Sequence, residues 1–395
     1  MNSRSAASGR PGTATSAVHA GCPEPRPGGP VVQPIVRSST FHWAGPGDGL
    51  DLRYSRYGNN PNQLSVAGKI AALEGTEAGL ALASGMAAIS MTILSSAGPG
   101  DHVVASRHLY GATHALLSGE LPKRGITTTF VEPSDPAAWE AALTPRTRVV
   151  LIELPTNPTL RVFAIGPARR AARSAGAILA ADMTFATPVN IRAAEHGVDA
   201  VIHSATKYLG GHSDLIAGVV AGSPELIAAV TKMMKLYGGS IDPGAAWLLE
   251  RGMRTLPARM DRHNRTAHAL AHWFTRVGGV RSVIYPGLAD HPDHEIATRM
   301  LSGYGGMVSI VLDGGGEAAD RFCAELRLAA PAPSLGGVET LVSQPRHTSH
   351  VDLGREEREA LGIPDGFVRI SVGLEDLEDL KADFRRAAEA VFAHG

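Results

Sequence analysis

The sequence predicts an α/β protein with a large, mostly parallel-sheet domain followed by a smaller C-terminal α+β domain. Three observations carry this. From about residue 64, short aliphatic and β-branched runs alternate with helical stretches of roughly 10–15 residues, the pattern of βαβ units. A long amphipathic stretch then covers 242–274. Beyond Ser282 the strand-like pieces SVIYP, GMVSIVL and FVRISVG are separated by further helical stretches.

Taken in order, residues 1–30 are rich in Gly, Pro, Ser and Ala and have few large side chains, so burial cannot offset their ordering entropy. They are predicted to form a flexible arm. The runs GLALA, HVVAS, ITTTFV, VVLIEL, AILAAD, DAVIHSA and AGVVAG are the predicted strands, near-continuously apolar as a sheet covered on both faces requires. The stretch from Asp242 to Phe274 reads as one helix, with Pro243 in its first turn and Ala246, Leu249, Met253 and Met260 on its apolar side. The resulting division is 1–63 for the arm, 64–275 for the large domain and 276–395 for the smaller one.

Composition narrows the function classes. Lys+Arg is 37 and Asp+Glu 38, so there is no polybasic field for nucleic acid or anionic lipid. No run approaches the ~20 apolar residues of a membrane span, and the start lacks a hydrophobic signal core. With only Cys22 and Cys323, no disulfide framework is expected, and the setting is expected to be cytoplasmic.

Three predicted strand ends carry chemistry. DAVIHSA delivers Ser204, Thr206 and Lys207 into the glycine-rich turn of HSATKYLGGHSD (203–214). The hydroxyls suit phosphate oxygens, and the amine suits imine formation with an aldehyde. Ser204-x-x-Lys207 also matches a pattern of penicillin-recognising hydrolases, but its Ser-Asp-Asn and Lys-Thr-Gly companions are absent. GLALA runs into Ser84-Gly85-Met86 and a helical stretch, either a phosphate seat at a helix N-terminus or a plain glycine turn. AILAAD ends at Asp182, a carboxylate facing the ligand crevice or a helix cap. A phosphate seat, an imine-forming lysine and an acid for a ring nitrogen together are what pyridoxal phosphate requires.

At these residues the sequence resembles the Cys/Met-metabolism family of pyridoxal-phosphate enzymes, which includes cystathionine γ-synthases, cystathionine lyases and methionine γ-lyases. The resemblance spans roughly residues 15–392. It rests on AVHAG (17–21), YSRYGN (54–59), ALEG (72–75), ASGM (83–86), LYG (109–111), PTNP (155–158), DMTFATP (182–188), HSATKYLGGHSD, RGMRTL (251–256), APSLGGVETL (332–341) and VRISVGLED (368–376). Within the family it looks most like the plant-type cystathionine γ-synthases, through LPKRGITTTFVEPSD (121–135) and YPGLADHPDHEIA (285–297).

The resemblance implies the aspartate-aminotransferase-like fold type I. It implies that Lys207 binds the cofactor aldehyde and moves the Cα proton, and that Asp182 pairs with the ring nitrogen. Gly85, Met86, Ser204 and Thr206 would seat the phosphate, joined by Tyr54 and Arg56 from a neighbouring subunit. Tyr110 would stack on the ring and handle protons near the γ position, and Asn157 would approach the ring's 3-oxygen. Arg369 and Ser334 would bind the substrate carboxylate, with Glu339 family-like on the rim. A homodimer is then the minimal active unit, and a homotetramer is expected.

Several positions depart from the family's pattern. Arg53 stands where an acid commonly precedes the YSR tyrosine, and Ala115 where an arginine is frequent. Ala112 replaces the cysteine typical of methionine γ-lyases. The Tyr57–Asn62 loop carries one extra residue, Met183 follows Asp182 where a small or polar residue is usual, and RHTSH (346–350) replaces a more apolar segment. Arg53 is therefore a candidate substrate-binding residue for an anionic reactant. The histidines His203, His212, His291 and His294 have a ligand-like spacing in part, but no metal site is expected. The predicted activity is γ-replacement on an activated homoserine derivative, with an altered rim that suits an unusual nucleophile in a specialised pathway. The alternative is γ- or β-lyase chemistry releasing a 2-oxo acid and ammonia. A catalytically dead scaffold or sensor would be expected to lose Lys207, Asp182 or Arg369, and all three are present.

Overall fold

The computed structural model describes residues 10–43, 45, 52–351 and 354–392; the first nine residues of the predicted arm lie outside the described residues. Seven strands form the larger sheet: β1 (Ala78–Leu82), β2 (His102–Ser106), β3 (Thr127–Val131), β4 (Thr147–Glu153), β5 (Ile178–Asp182), β6 (Ala200–Ser204) and β7 (Gly218–Gly222). Their order is β1-β7-β6-β5-β4-β2-β3, parallel except where β7 pairs antiparallel with β1 and β6. All seven coincide with predicted runs. The reason lies in the period of two: Val150, Ile152, Leu179, Val201 and Val219 enter one apolar core, while Val149, Leu151, Ala180, Ile202 and Val220 enter another on the opposite face.

The second sheet contains β8 (Val280–Ile284), β9 (Met307–Leu312), β10 (Ala330–Pro331), β11 (Leu341–Ser343) and β12 (Phe367–Ser371), ordered β10-β11-β12-β9-β8. It packs its own core, including Phe274, Phe322, Val368, Ile370 and Phe384, against flanking helices. An α/β architecture with a smaller C-terminal domain is thus present.

The stretch predicted as one helix is two, Pro243–Arg254 and Leu256–Phe274. Pro257 has no N–H to donate to Met253 and lies in the first turn of the second helix, so the chain restarts at Thr255. The predicted stripe of Ala246, Leu249, Met253 and Met260 is buried throughout. The arm also departs from expectation, because part of it is docked. Helix α1 (Thr13–His19) buries Ser16 and Ala17, and the Ala17 carbonyl accepts a 2.6 Å bond from the buried Lys69 ammonium. Small residues let α1 approach helix α2 (Pro61–Glu74) closely.

Asn60 is the N-cap of α2, with a capping box to Gln63 and Pro61 at the first position. The Asn60 amide also donates to the Val36 carbonyl at 2.8 Å, and Asn62 bonds both the Val36 N–H and the Pro34 carbonyl, pinning the extended segment 34–38. Two of the positions in the enlarged Tyr57–Asn62 loop thus anchor the arm.

Helix α3 (Gly85–Ser96) starts directly from β1 and lies against β6 and β7. Its start is held by Gly218, where a Cβ would overlap the Ser84 carbonyl oxygen. Gly218→Ala should therefore destabilise the protein by about 1–3 kcal/mol through overpacking against backbone. The control is Gly119→Ala, where a Cβ meets nothing within 4 Å. Equal denaturation midpoints for the two variants would contradict the role of this contact.

Candidate active site

The C-terminal ends of β4, β5 and β6 and the start of α3 converge on a cavity of about 640 Å³, roofed by segments of the second sheet. At α3, the Ser84 hydroxyl accepts the Ala87 N–H at 3.1 Å, and the Ser84 carbonyl accepts the Ala88 N–H. The Gly85 and Met86 N–H groups have no acceptor among the described residues. They face a cavity at the positive end of a 12-residue helix, a standing site for an anion. Gly85 makes the approach possible, since a Cβ there would lie 2.7 Å from the Ser204 Cβ. The Ser204 hydroxyl, at the end of β6, has no partner among the described residues. Thr206 differs: its hydroxyl donates to the Ala217 carbonyl at 3.2 Å and accepts the Ala217 N–H at 3.0 Å.

Lys207 follows β6 by three residues and projects its ammonium onto the Ser334 hydroxyl at 2.7 Å. Burial, reinforced by the Arg369 charge, pulls its pKa down to about 8. Ser334 has φ +88, a left-handed conformation rare outside glycine. Its carbonyl accepts Arg369 Nη2 at 2.9 Å, and Arg369 Nη1 donates to Asn157 Oδ1 at 2.9 Å. Arg369 Nε is buried with no partner among the described residues. Burial lowers the guanidinium's pKa to about 10.

Asp182 ends β5. Its Oδ1 accepts both the N–H and the hydroxyl of Thr184, while Oδ2 has no partner among the described residues. Burial raises its pKa, and the Thr184 bonds oppose that rise. Directly beside it in register stands Glu153, the last residue of β4. Glu153 was not among the sequence candidates, although a carboxylate at a strand end is the same signal that marked Asp182. Its Oε1 accepts the Asn157 N–H at 3.0 Å and its Oε2 the Tyr110 N–H at 2.6 Å. Burial, then the neighbouring Asp182 charge, pushes Glu153 well above the usual carboxylate range. Tyr110 lines the cavity and is 42% exposed, at the start of helix α4 (Gly111–Ala115).

The cavity therefore gathers Gly85, Met86, Tyr110, Asn157, Asp182, Ser204, Thr206, Lys207, Ser334 and Arg369. It does not gather the rest. Arg56 packs over Tyr54 and Tyr57 and donates to the Lys235 carbonyl at 2.8 Å, away from this chain's own cavity. Arg53 lies over the Phe41 ring at 5.6 Å, and Glu339 accepts a short bond from the Ser213 hydroxyl. Of the histidines, His203 is bound to the buried Glu74 at 2.6 Å, and His212 to the Gly210 carbonyl. His291 accepts the Asp293 N–H, and His294 bonds the Pro286 carbonyl. Among the described residues, no helix is long and apolar enough to cross a membrane.

Free N–H groups and a free hydroxyl for a phosphate, an open carboxylate oxygen for a ring nitrogen, and a lysine with a lowered pKa fit pyridoxal phosphate. The fold and the cavity together define a pyridoxal-phosphate-dependent enzyme. A model of the Cys/Met metabolism PLP-dependent enzyme family matches residues 14–389. The chain is 40% identical over 370 residues to cystathionine gamma-synthase 1, chloroplastic, of Arabidopsis thaliana, covering 91% of this chain and 66% of that protein, or about two thirds of its length. It is 40% identical over 390 residues to the L-methionine gamma-lyase of Pseudomonas putida, covering 96% and 98%. A crystal structure of cystathionine gamma-lyase from Lactobacillus plantarum complexed with L-serine superposes with a TM-score of 0.91 at 36% identity, covering 97% of this chain and 99% of that one. The chain belongs to the Cys/Met metabolism family of PLP-dependent enzymes.

The lowered Lys207 pKa is open to test. Removing the Arg369 charge in Arg369→Gln lets the ammonium persist to higher pH, so the pKa moves up from about 8 toward 10.5. In cofactor-free protein, the rate of pyridoxal phosphate uptake should rise through pH ~8 in the parent and at higher pH in the variant. Superimposable pH profiles, followed by absorbance, would contradict the coupling.

Proposed function

We propose that this enzyme catalyses γ-replacement on an activated homoserine ester, exchanging the γ-substituent for a thiol such as cysteine. The observation that carries the reading is that Lys207 and Arg369 meet at Ser334, one on its hydroxyl and the other on its carbonyl. A substrate carboxylate held by Arg369 and Ser334 then keeps its α-carbon within reach of the Lys207 amine. The planar guanidinium, with its unpartnered Nε, suits that carboxylate.

When bound, pyridoxal phosphate supplies an electron sink for charge developing next to the amino group. Gly85, Met86 and Ser204 hold the phosphate, and Thr206 joins them if its hydroxyl turns from Ala217. Asp182 would offer Oδ2 to the ring nitrogen and favour its protonation, and Asn157 would serve the ring's 3-oxygen. Lys207 would take the proton from Cα, and Tyr110 would stack on the ring and move protons at the γ position. Arg53 and Glu339 lie outside the lining of this chain's cavity, so a role for either in binding substrate would be exercised from its margin. Tyr54 and Arg56 do not reach their own chain's cavity, which supports placing them at the site of a second copy. The minimal active unit is then a homodimer, assembling further to a homotetramer, in the cytoplasm. The 1–63 arm would carry this exchange, ahead of the 64–275 and 276–395 domains. Elimination is the second reading, favoured by relatives named for methionine and cystathionine lyase activity.

Incubation with O-acetyl-, O-succinyl- and O-phosphohomoserine, with and without cysteine, separates the readings by mass spectrometry. A thioether that appears only with cysteine is expected. A 2-oxo acid formed equally in both arms would overturn γ-replacement in favour of lyase chemistry.

Asp182→Asn should lower turnover at least ~10²-fold with cofactor bound, the scale reached when a central electrostatic partner is lost. Mixing inactive Lys207→Ala with inactive Arg56→Ala subunits should restore part of the activity, since a hybrid dimer contains one intact site. No recovery after verified subunit exchange would place Arg56 elsewhere.

A further inference from the structure

The two glycines of HSATKYLGGHSD and the motif RGMRTL (251–256) do not line the cofactor cavity, yet the fold packs one against the other. The chain leaves β6 at Ser204 and turns at once. The Lys207 N–H donates to the Ser204 carbonyl at 3.2 Å, the Gly210 N–H to the Ala205 carbonyl at 2.9 Å and the Gly211 N–H to the Lys207 carbonyl at 2.8 Å. Tyr208 and Leu209, the residues directly after Lys207, are fully buried in this turn. Their carbonyls take no part in its backbone bonds and are both engaged by one side chain.

That side chain is Arg259, near the start of the helix Leu256–Phe274 and 5% exposed. Its Nη1 donates to the Tyr208 carbonyl at 2.7 Å, its Nη2 to the Gly252 carbonyl at 2.8 Å and the Leu209 carbonyl at 3.4 Å, and its Nε to the Thr255 hydroxyl at 3.1 Å. Gly252 and Thr255 lie at the break between the two long helices, where a helix end leaves carbonyls without intrahelical partners. One planar group thus ties the turn after Lys207 to that break. Every acceptor is neutral, and no carboxylate pairs with the guanidinium among the described residues. Burial lowers its pKa only to about 10, so it stays charged at neutral pH, with carbonyl dipoles in place of water.

The contact is possible because two side chains are missing. Gly211 has φ +75, and a Cβ there would overlap the Arg259 guanidinium. A Cβ on Gly252 would overlap the Gly210 carbonyl oxygen.

We infer that Arg259 is a positioning residue for Lys207: by holding the two carbonyls that follow it, the guanidinium fixes where the lysine leaves the chain, and so whether its amine meets the cofactor aldehyde beside Ser334. A lysine stem has four rotatable carbons, and a fixed root narrows the places its amine can occupy. A lysine at position 259 would keep the charge and lose the fork that spans carbonyls on both sides. This role presupposes that Lys207 is the lysine that joins the cofactor.

Arg259→Lys in the full chain tests it. Calorimetry on cofactor-stripped protein compares pyridoxal phosphate, whose aldehyde a lysine amine joins with loss of water, with 4′-deoxypyridoxine 5′-phosphate, which has the same ring and phosphate and no aldehyde. A displaced lysine root weakens only the first. Affinity for pyridoxal phosphate should fall at least about tenfold, because misplacing a reacting group by ~1 Å can cost ~10²-fold, while affinity for the deoxy compound should change less than about twofold. In the holoenzyme, exchange of the α-proton of L-alanine in deuterium oxide, which involves no γ-chemistry, should fall at least about tenfold at saturation, with the half-saturating concentration changed less than about twofold.

Thr255→Val removes only the acceptor of Nε, should move the same ligand ratio about threefold, and decides the question if Arg259→Lys does not fold. Equal weakening of the two ligands, the result of a merely structural role, overturns the assignment, as does an unchanged preference for the aldehyde. Borohydride reduction and peptide mapping of the parent holoenzyme separate the two levels. Label away from Lys207 overturns both, whereas label on Lys207 with an unchanged ligand ratio overturns the role of Arg259 alone.

Discussion

Everything at the site depends on two cations meeting at one serine. Lys207 comes from the end of β6 in the large sheet and Arg369 from β12 in the smaller one, and both bond Ser334. Burial out of water lowers both pKa values, and the neighbouring Arg369 charge lowers that of Lys207 further. That cost is useful chemistry, because a lysine near 8 is partly neutral at physiological pH and can act as a nucleophile or a base. The left-handed Ser334 backbone is part of the same arrangement, since it aims hydroxyl and carbonyl at different partners.

The acidic side of the cavity shows a complementary division. Asp182 and Glu153 are register partners on adjacent parallel strands, and two buried carboxylates at that spacing do not both ionise readily. Asp182 receives two bonds from Thr184 that favour its charge, whereas the electrostatic push of Asp182 raises Glu153 further. Glu153 reaches the site through backbone, gripping the N–H groups of Tyr110 and Asn157 and so fixing where both begin.

Much of this was legible in the sequence where one physical signal acts alone. The seven strands of the large sheet were visible because burial on both faces demands uninterrupted apolar runs, and the strand-end positions of Asp182 and Lys207 followed from them. The break at Thr255 was missed because the apolar stripe continues across it and only Pro257 marks it. Strands β10 and β11 are two and three residues long, too short to show a period. The docking of α1 depends on the fit of Ala17 against other helices and on a bond from Lys69, which no local pattern announces. Thr206 reads as a free hydroxyl in sequence, yet its bonds to Ala217 come from the β7 approach.

We propose that Lys207 is the residue to which the cofactor is joined, and borohydride reduction of the purified holoenzyme followed by peptide mapping tests this most directly. A pyridoxyl group on the peptide containing Lys207, and no such label in Lys207→Ala, is the expected result. Label on another lysine, such as the buried Lys69 or the more exposed Lys232 and Lys235, would contradict it.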